Sequence, residues 1–319
     1  MNATSNAQPS GVLVFYSEFD DFATWRKALN AKLPRLEIRH ASDLGDPAEV
    51  SYALAWKPPA GFFDRMSGLR LIINLGAGVD SLVGRSDLPA GIPITRITDP
   101  NMARMMAGYV LFATLRYARD IPYFEQAQKR GEWAYRHPRS PEDVRVAVLG
   151  LGELGAYAAR ELRRQGLTVL GWSRTPRQIE DIDCYAGMET LDTVLAQADI
   201  VVLMLPLTEQ TRGLFDRERL LRLPRGAALI NVARGALVDQ AALTDLLQSG
   251  HLGGATLDVF EREPLSAEDP LWRMENVLIT PHLASVAIPS SAATQIADNI
   301  LRVDTGQAPL NVIDPGRGY

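Results

Sequence analysis

Three glycines, Gly150, Gly152 and Gly155, stand between two short apolar runs. The first run is Val144-Arg145-Val146-Ala147-Val148-Leu149. The second is Leu167-Thr168-Val169-Leu170, which leads into Gly171-Trp172-Ser173-Arg174-Thr175. Between them Leu154, Ala158 and Leu162 recur at helical spacing up to Gln165, and Gly166 stands where a helix-ending glycine belongs. Strand, glycine turn, helix and strand within about 30 residues form a βαβ unit of the dinucleotide-binding kind. Gly150 permits the tight turn, Gly152 lets backbone approach a pyrophosphate, and Gly155 lets helix and strand pack closely. The first helical turn, with Glu153 and Leu154, offers unpaired N–H groups and a positive dipole end to phosphates. Alone, such a glycine pattern is weak evidence; here its flanks support it.

The acid expected about 20 residues on, which would hold a ribose 2′-hydroxyl, is missing. Ser173 stands there, 18 residues after Gly155, followed by Arg174 and Thr175. A carboxylate would repel a 2′-phosphate, whereas a hydroxyl and a guanidinium bind one. The segment therefore favours NADP(H) over NAD(H).

A chain of 319 residues has room for two cores. Its 46 % hydrophobic and 22 % charged residues are ordinary for a globular protein, and its net charge of −5 argues against a nucleic-acid surface. Cys184 is the only cysteine, so no intramolecular disulfide can form and a reducing compartment fits. Residues 1–10 are polar and do not read as a signal peptide. The longest apolar run, Ile200 to Leu205, is too short to cross a bilayer. A cytoplasmic location is expected, with no membrane and no nucleic-acid partner.

Ahead of the glycine unit, strands are predicted at Gly11–Tyr16, Glu37–Arg39, Ala53–Trp56, Leu71–Asn74 and Ile92–Arg96, with a helix at Phe22–Asn30. This alternation predicts a small parallel α/β domain. Asn101 is expected to cap a helix running to about Arg119; Pro122 then interrupts, and a second helical piece extends to Gly131. After Thr175, strands are predicted at Asp199–Leu205, Ala227–Val232, Gly254–Val259 and Val277–Thr280. Helices are predicted at Leu191–Ala196, Arg217–Arg222 and from an Asp239 cap to Gln248. A doubly wound sheet of six or seven strands follows. A last helix from Pro289 to about Val303 comes after the final strand, so it can pack back on the first domain. The fold class is α/β with two domains. A Rossmann dinucleotide domain, residues 101–285, is inserted in a smaller flavodoxin-like substrate domain, residues 1–100 and 286–319.

Open parallel sheets bind ligands beyond the carboxyl ends of their strands. Arg234 follows Ala227–Val232, Glu263 follows Gly254–Val259, and His282 follows Val277–Thr280. Of the four histidines (His40, His137, His251 and His282), only His282 stands in this way. Together the three suit reduction of a 2-oxo acid. A histidine held protonated by a carboxylate can protonate the carbonyl oxygen as hydride arrives. An arginine can grip the substrate carboxylate and polarise the carbonyl. Each alone is weaker: a lone histidine is more often structural, and Arg234 and Glu263 could be surface residues.

Asn231-Val232-Ala233-Arg234-Gly235, Asp258-Val259-Phe260-Glu261-Arg262-Glu263-Pro264-Leu265 and Thr280-Pro281-His282-Leu283-Ala284-Ser285 resemble the three signature segments of the D-isomer-specific 2-hydroxyacid dehydrogenases. The resemblance covers the whole dinucleotide domain. It implies Arg234, Glu263 and His282 as the catalytic triad, with Arg234 and His282 also touching substrate. It implies Asp258 as the acid that binds the nicotinamide carboxamide, and cofactor contacts at Pro206, Val232 and Ala233. Leu75-Gly76-Ala77-Gly78-Val79-Asp80 is similar to the family's loop whose N–H groups take the substrate carboxylate; physically, small residues after a buried strand let backbone approach an anion. Ala55-Trp56-Lys57-Pro58-Pro59, Trp172-Ser173-Arg174-Thr175 and the ending Gly316-Arg317-Gly318-Tyr319 resemble the glyoxylate/hydroxypyruvate reductase branch, in which Trp56 would wall a small substrate pocket. Trp133 lies where relatives carry a loop near a dimer contact. Gly108, before Tyr109, departs from the family's frequent acid; it weakens its helix or marks a close contact.

The expectation is an NADPH-preferring enzyme, without a metal, that reduces glyoxylate, hydroxypyruvate or a close relative to the D-2-hydroxy acid, as a homodimer. Two alternatives stay open: another 2-hydroxyacid dehydrogenase specificity, of phosphoglycerate or phosphonate type, and a non-catalytic dinucleotide sensor resembling the C-terminal-binding corepressors.

Overall fold

The computed structural model describes Pro9 and residues 11–313, and the chain divides into two compact units. One runs to Met102 and resumes at Val286; the other is Ala103–Ser285. In chain order the elements are β1 (Val12–Tyr16), α1 (Phe22–Asn30), β2 (Glu37–His40), β3 (Val50–Ala55), β4 (Leu71–Asn74) and β5 (Ile94–Arg96). Then come α2 (Pro100–Ala118), α3 (Ile121–Lys129), β6 (Arg145–Leu149), α4 (Glu153–Arg164), β7 (Thr168–Ser173) and β8 (Asp183–Ala186). They are followed by α5 (Met188–Leu195), β9 (Ile200–Leu203), α6 (Arg217–Leu221), β10 (Ala228–Asn231) and α7 (Gln240–Gln248). The chain closes through β11 (Gly254–Leu257), β12 (Val277–Ile279) and α8 (Pro289–Asp304).

In the first unit the strand order is β2-β1-β3-β4-β5, all parallel. That is the flavodoxin-like order. Successive side chains alternate faces. Leu13, Phe15, Tyr52, Leu54, Leu71 and Ile73 meet Trp25 and Leu29 of α1 and Ile296 and Ile300 of α8. Val14, Ala53 and Ile72 face Phe63, Leu69 and Leu82 on the other side. Thus α8 belongs to the core of the first unit despite its place at the far end of the chain.

The second unit holds seven parallel strands ordered β12-β11-β10-β9-β6-β7-β8. The order turns back at β6, whose neighbours are β9 and β7, and this is the doubly wound reversal beside which ligands bind. Val146, Val148, Ile200, Val202 and Ile230 fill one face of the sheet. Ala147, Leu149, Val201, Leu203 and Leu229 fill the other. Burial on both faces is why these strands read as unbroken apolar runs.

Several expectations need correction. Asn101 is not a cap: it lies inside α2, and the carboxylate of Asp99 accepts its N–H at 2.9 Å. Pro100 takes the first helical position, where its missing N–H costs nothing. Pro122 likewise sits at the start of α3 and begins that helix. β7 extends through Gly171 and Trp172 to Ser173, three residues past the apolar run, because Trp172 is buried. The edge strand β8, carrying Cys184, was not foreseen; it is short and only half-buried, so it lacks an apolar run. Gly108 is exposed, and a Cβ there would meet nothing within 4 Å, so it marks no close contact within the chain. The segment 316–319 lies outside the described residues, as do residues 1–8 and 10. No helix among the described residues is long and apolar enough to cross a membrane.

Candidate active site

The glycine turn is closed by backbone contacts. Gly150 has φ +110°, and a Cβ there would stand 2.5 Å from the Met204 carbonyl oxygen. A Cβ on Gly155 would stand 1.8 Å from the carbonyl oxygen of Gly150, so α4 and the end of β6 approach as only glycine allows. Gly152 caps α4 without a side-chain hydrogen bond, and a Cβ on it would meet nothing within 4 Å. The amides of Glu153, Leu154 and Gly155 therefore open the helix toward accessible space, which suits a pyrophosphate. At the end of β7, Ser173 is buried and its hydroxyl donates to the Thr175 carbonyl at 2.8 Å; Arg174 and Thr175 are exposed. The strand-end position that carries an acid in NAD-binding units is thus a hydroxyl beside a guanidinium. Pro206, exposed, follows β9, while Val232 and Ala233, buried, follow β10.

Three neighbouring strands deliver the other groups. At the end of β10 the buried Asn231 amide donates to the Arg234 carbonyl at 3.0 Å and accepts from the Ala233 N–H at 3.1 Å. This closes the turn and presents Arg234, half-buried, with its Nη1 on the Ala233 carbonyl at 2.7 Å. A Cβ on Gly235 would lie 1.8 Å from the Phe260 carbonyl carbon, so this turn rests directly on the segment beyond β11. From that segment Glu263 turns back: Oε1 accepts the Phe260 N–H at 3.2 Å, and Oε2 lies 2.9 Å from His282 Nδ1. Both side chains are about three-quarters covered, at 24 % and 22 % exposure for His282 and Glu263.

His282 has φ +56°, a left-handed backbone that is uncommon for a non-glycine residue. Asp258 holds it there. The Asp258 carbonyl accepts the His282 N–H at 2.8 Å. The buried Asp258 carboxylate accepts the Thr280 hydroxyl at 2.6 Å and the Leu283 and Ala284 amides at 2.9 Å each. Because Thr280 spends its proton on Asp258, the Tyr109 hydroxyl, 2.5 Å away, donates to Thr280. Burial pushes the Tyr109 phenol up to about 12, with the Asp258 charge acting the same way. An ionised carboxylate only accepts, so in this pair Nδ1 of His282 carries the proton. Strained backbone kept in place by this many bonds is characteristic of functional turns.

In the first unit, the buried Asn74 at the end of β4 donates to the carbonyls of Gly76 and Gly78, at 2.9 and 2.8 Å. Both carbonyls are thereby turned inward. Trp56 lies against the same turn: a Cβ on Gly76 would come within 2.5 Å of its Cζ3. Ala77 and Gly78 are half-buried. The other histidines have local partners or none of this setting: His40 engages Ser42, and His137 lies exposed beside the Pro138 carbonyl.

Sequence reasoning missed Asn74, Asn231, Thr280 and Tyr109. A signal for two of them was present, since Leu71-Ile72-Ile73-Asn74 and Ala228-Leu229-Ile230-Asn231 both end a buried run on asparagine ahead of small residues. Among the described residues no group of three or more His, Cys, Asp or Glu could hold a metal ion.

Residues 111–284 match the model of the D-isomer specific 2-hydroxyacid dehydrogenase, NAD binding domain. Glyoxylate/hydroxypyruvate reductase A of Serratia proteamaculans is 37 % identical over 312 residues, 96 % of this chain and 99 % of that protein. A D-isomer specific 2-hydroxyacid dehydrogenase from Xanthobacter autotrophicus, solved with NADPH and MES, is 58 % identical with a TM-score of 0.91, covering 97 % of this chain and 100 % of that one. The NADPH-dependent glyoxylate/hydroxypyruvate reductase of Sinorhizobium meliloti, solved with NADP and sulfate, is 33 % identical at the same TM-score of 0.91, covering 97 % and 100 %. The chain belongs to the D-isomer-specific 2-hydroxyacid dehydrogenase family and is a nicotinamide-dependent oxidoreductase with a Rossmann domain.

Proposed function

We propose that this enzyme reduces glyoxylate, hydroxypyruvate or a similarly small 2-oxo acid to the D-2-hydroxy acid, with NADPH preferred over NADH. The observation that carries this reading is the 2.9 Å pair of His282 Nδ1 and Glu263 Oε2 at the carboxyl end of the sheet, with Arg234 on the next turn. When bound, the reduced nicotinamide supplies the hydride for the carbonyl carbon. Arg234 binds the substrate carboxylate and polarises the carbonyl. His282 gives the proton on Nε2 to the carbonyl oxygen, and Glu263 stabilises the charged imidazole in that orientation. Asp258 serves by fixing the His282 turn and by facing the nicotinamide carboxamide. Gly150, Gly152, Glu153, Leu154 and Gly155 admit the pyrophosphate; Pro206, Val232 and Ala233 line the cofactor. The Gly76–Gly78 amides bind the substrate carboxylate, and Trp56 limits substrate size.

Preference for NADPH is supported by Ser173 and Arg174 at the end of β7, and by relatives solved with NADPH or NADP. Residues up to 100 with those from 286 then form the substrate domain, and 101–285 the dinucleotide domain. A homodimer is supported by exposed Phe112 and Leu115 on α2 and the fully exposed Trp133. A cytoplasmic location accords with the lone Cys184.

The test is NADPH and NADH oxidation by the purified protein over a panel of 2-oxo acids, including glyoxylate, hydroxypyruvate and 3-phosphohydroxypyruvate. Turnover is expected to be fastest with NADPH and the small oxo acids. Preference for the phosphorylated substrate would select the phosphoglycerate-type alternative. Absence of turnover with every oxo acid would leave a dinucleotide sensor.

A further inference from the structure

The segment carrying Trp56 is held from a distance in sequence. Trp56 leaves β3 with its N–H on the Tyr16 carbonyl at 2.9 Å, and its ring lies against Gly76. The next residue, Lys57, has φ +44°, a left-handed backbone just before Pro58, with its Nζ 5.7 Å from the Trp56 ring centroid. Neither lysine nor a residue preceding proline prefers that conformation. Something must hold the chain there.

Arg85, 28 residues beyond Lys57, supplies the restraint. Its Nη1 donates to the Pro58 carbonyl at 2.7 Å and its Nη2 to the Pro59 carbonyl at 2.6 Å. The guanidinium is oriented by a fork on Asp87, with Nε to Oδ1 at 2.8 Å and Nη2 to Oδ2 at 2.6 Å. Its Cζ sits 5.4 Å over the ring of the buried Phe63. The two side chains are only 16 % and 8 % exposed. A surface ion pair gains little, but a covered, bidentate, stacked arginine that also satisfies two successive carbonyls is a rigid joint. The Pro59 carbonyl also accepts the Phe62 N–H at 3.3 Å, so backbone and guanidinium together fix it, while the guanidinium bonds the Pro58 carbonyl as well.

We infer that Arg85, oriented by Asp87, is the positioning residue for the Trp56 wall, and that it thereby sets how sharply the enzyme discriminates small 2-oxo acids from bulky ones. The inference rests on Trp56 being a wall of the substrate site. Arg85 is assigned no contact with substrate or cofactor; it acts through Pro58 and Pro59 on the tryptophan.

The test compares Arg85→Met, Arg85→Lys and Asp87→Asn with Trp56→Leu and the unaltered enzyme. KM and kcat are measured for glyoxylate and for phenylpyruvate, NADPH binding by nucleotide fluorescence, and folding by urea denaturation. Arg85→Met is expected to raise KM for glyoxylate roughly tenfold, the scale of one lost charge-assisted bond, with kcat and NADPH affinity little changed. The glyoxylate-to-phenylpyruvate ratio of kcat/KM should narrow in step with that of Trp56→Leu. Lysine keeps the charge but not the fork, so Arg85→Lys should fall between. Should Arg85→Met fail to fold, Arg85→Lys and Asp87→Asn carry the same comparison. If Trp56→Leu changes the substrate ratio while the folded Arg85 and Asp87 variants leave it at the original value, the inference is overturned and the reading of Trp56 stands. If Trp56→Leu itself leaves the ratio unchanged, the wall reading fails and the inference falls with it.

Discussion

At the scale of single residues, the site is built from side chains that act on a ligand and side chains that hold them. The proposed role of Arg174 is of the first kind: on that proposal Arg174→Ala should raise KM for NADPH by roughly 10- to 150-fold, from the loss of about 1.5–3 kcal/mol of charge-assisted bonding. KM for NADH should change little, and steady-state kinetics with both cofactors checks this; an unchanged NADPH/NADH ratio would remove Arg174 from the phosphate site. Asp87, which accepts the Arg85 fork, is inferred to be of the second kind. The hydrogen bond from Arg85, reinforced by its charge, holds the Asp87 carboxyl below the usual carboxylate range, against the opposing effect of burial. A carboxyl depressed in the folded state adds stability above its unfolded pKa, about 3.9, and loses it as pH falls through the folded value. The stability difference between the unaltered protein and Asp87→Asn should therefore be constant from neutral pH to about pH 5 and shrink below about pH 4. Urea denaturation across that range measures it; a difference that grows on acidification would contradict the assignment. Arg234, Glu263 and His282 stand out in the sequence because each follows an apolar run, buried in β10 and β11 and half-buried in β12. Asn74, Asn231, Thr280 and Tyr109 were not, because their roles depend on bonds to turns that periodicity does not describe.

At the scale of elements, what could be read depended on burial. Strands covered on both faces, such as β9 and β10, appear as continuous apolar runs, and α1 and α7 match their predicted spans because Asp21 and Asp239 cap them by accepting the third amide beyond. The edge strand β8 gives no such signal; its pairing with β7, not its composition, makes it a strand. Asn101 was misread because two capping residues flank Pro100, and only coordinates show that Asp99 takes the amide. Gly108 gives a prediction at this scale. It lies in the interior of α2 with no neighbour for a Cβ, so Gly108→Ala should stabilise the protein by about 1 kcal/mol through helix propensity. Thermal or urea unfolding tests this; a loss of stability would show that another surface covers the position.

At the scale of the whole molecule, the two sheets follow two doubly wound orders, and the groups assigned to chemistry gather at the carboxyl ends of β10, β11 and β12. The glycine turn between β6 and α4 is proposed to take the pyrophosphate, while Glu263 and His282, proposed for the proton chemistry, lie more than 100 residues further along the chain. Exposed Phe112, Leu115 and Trp133 lie on the second unit, and sedimentation velocity should report a dimer; a monomer at assay concentrations would remove this surface as a self-association site. The proposed role of His282 is tested most directly by NADPH oxidation with glyoxylate by the unaltered enzyme and His282→Asn, alongside NADPH binding followed by nucleotide fluorescence. The proton-transfer role predicts that kcat collapses by at least about 100-fold in the variant, while NADPH binds as before. Retained kcat with glyoxylate would contradict it.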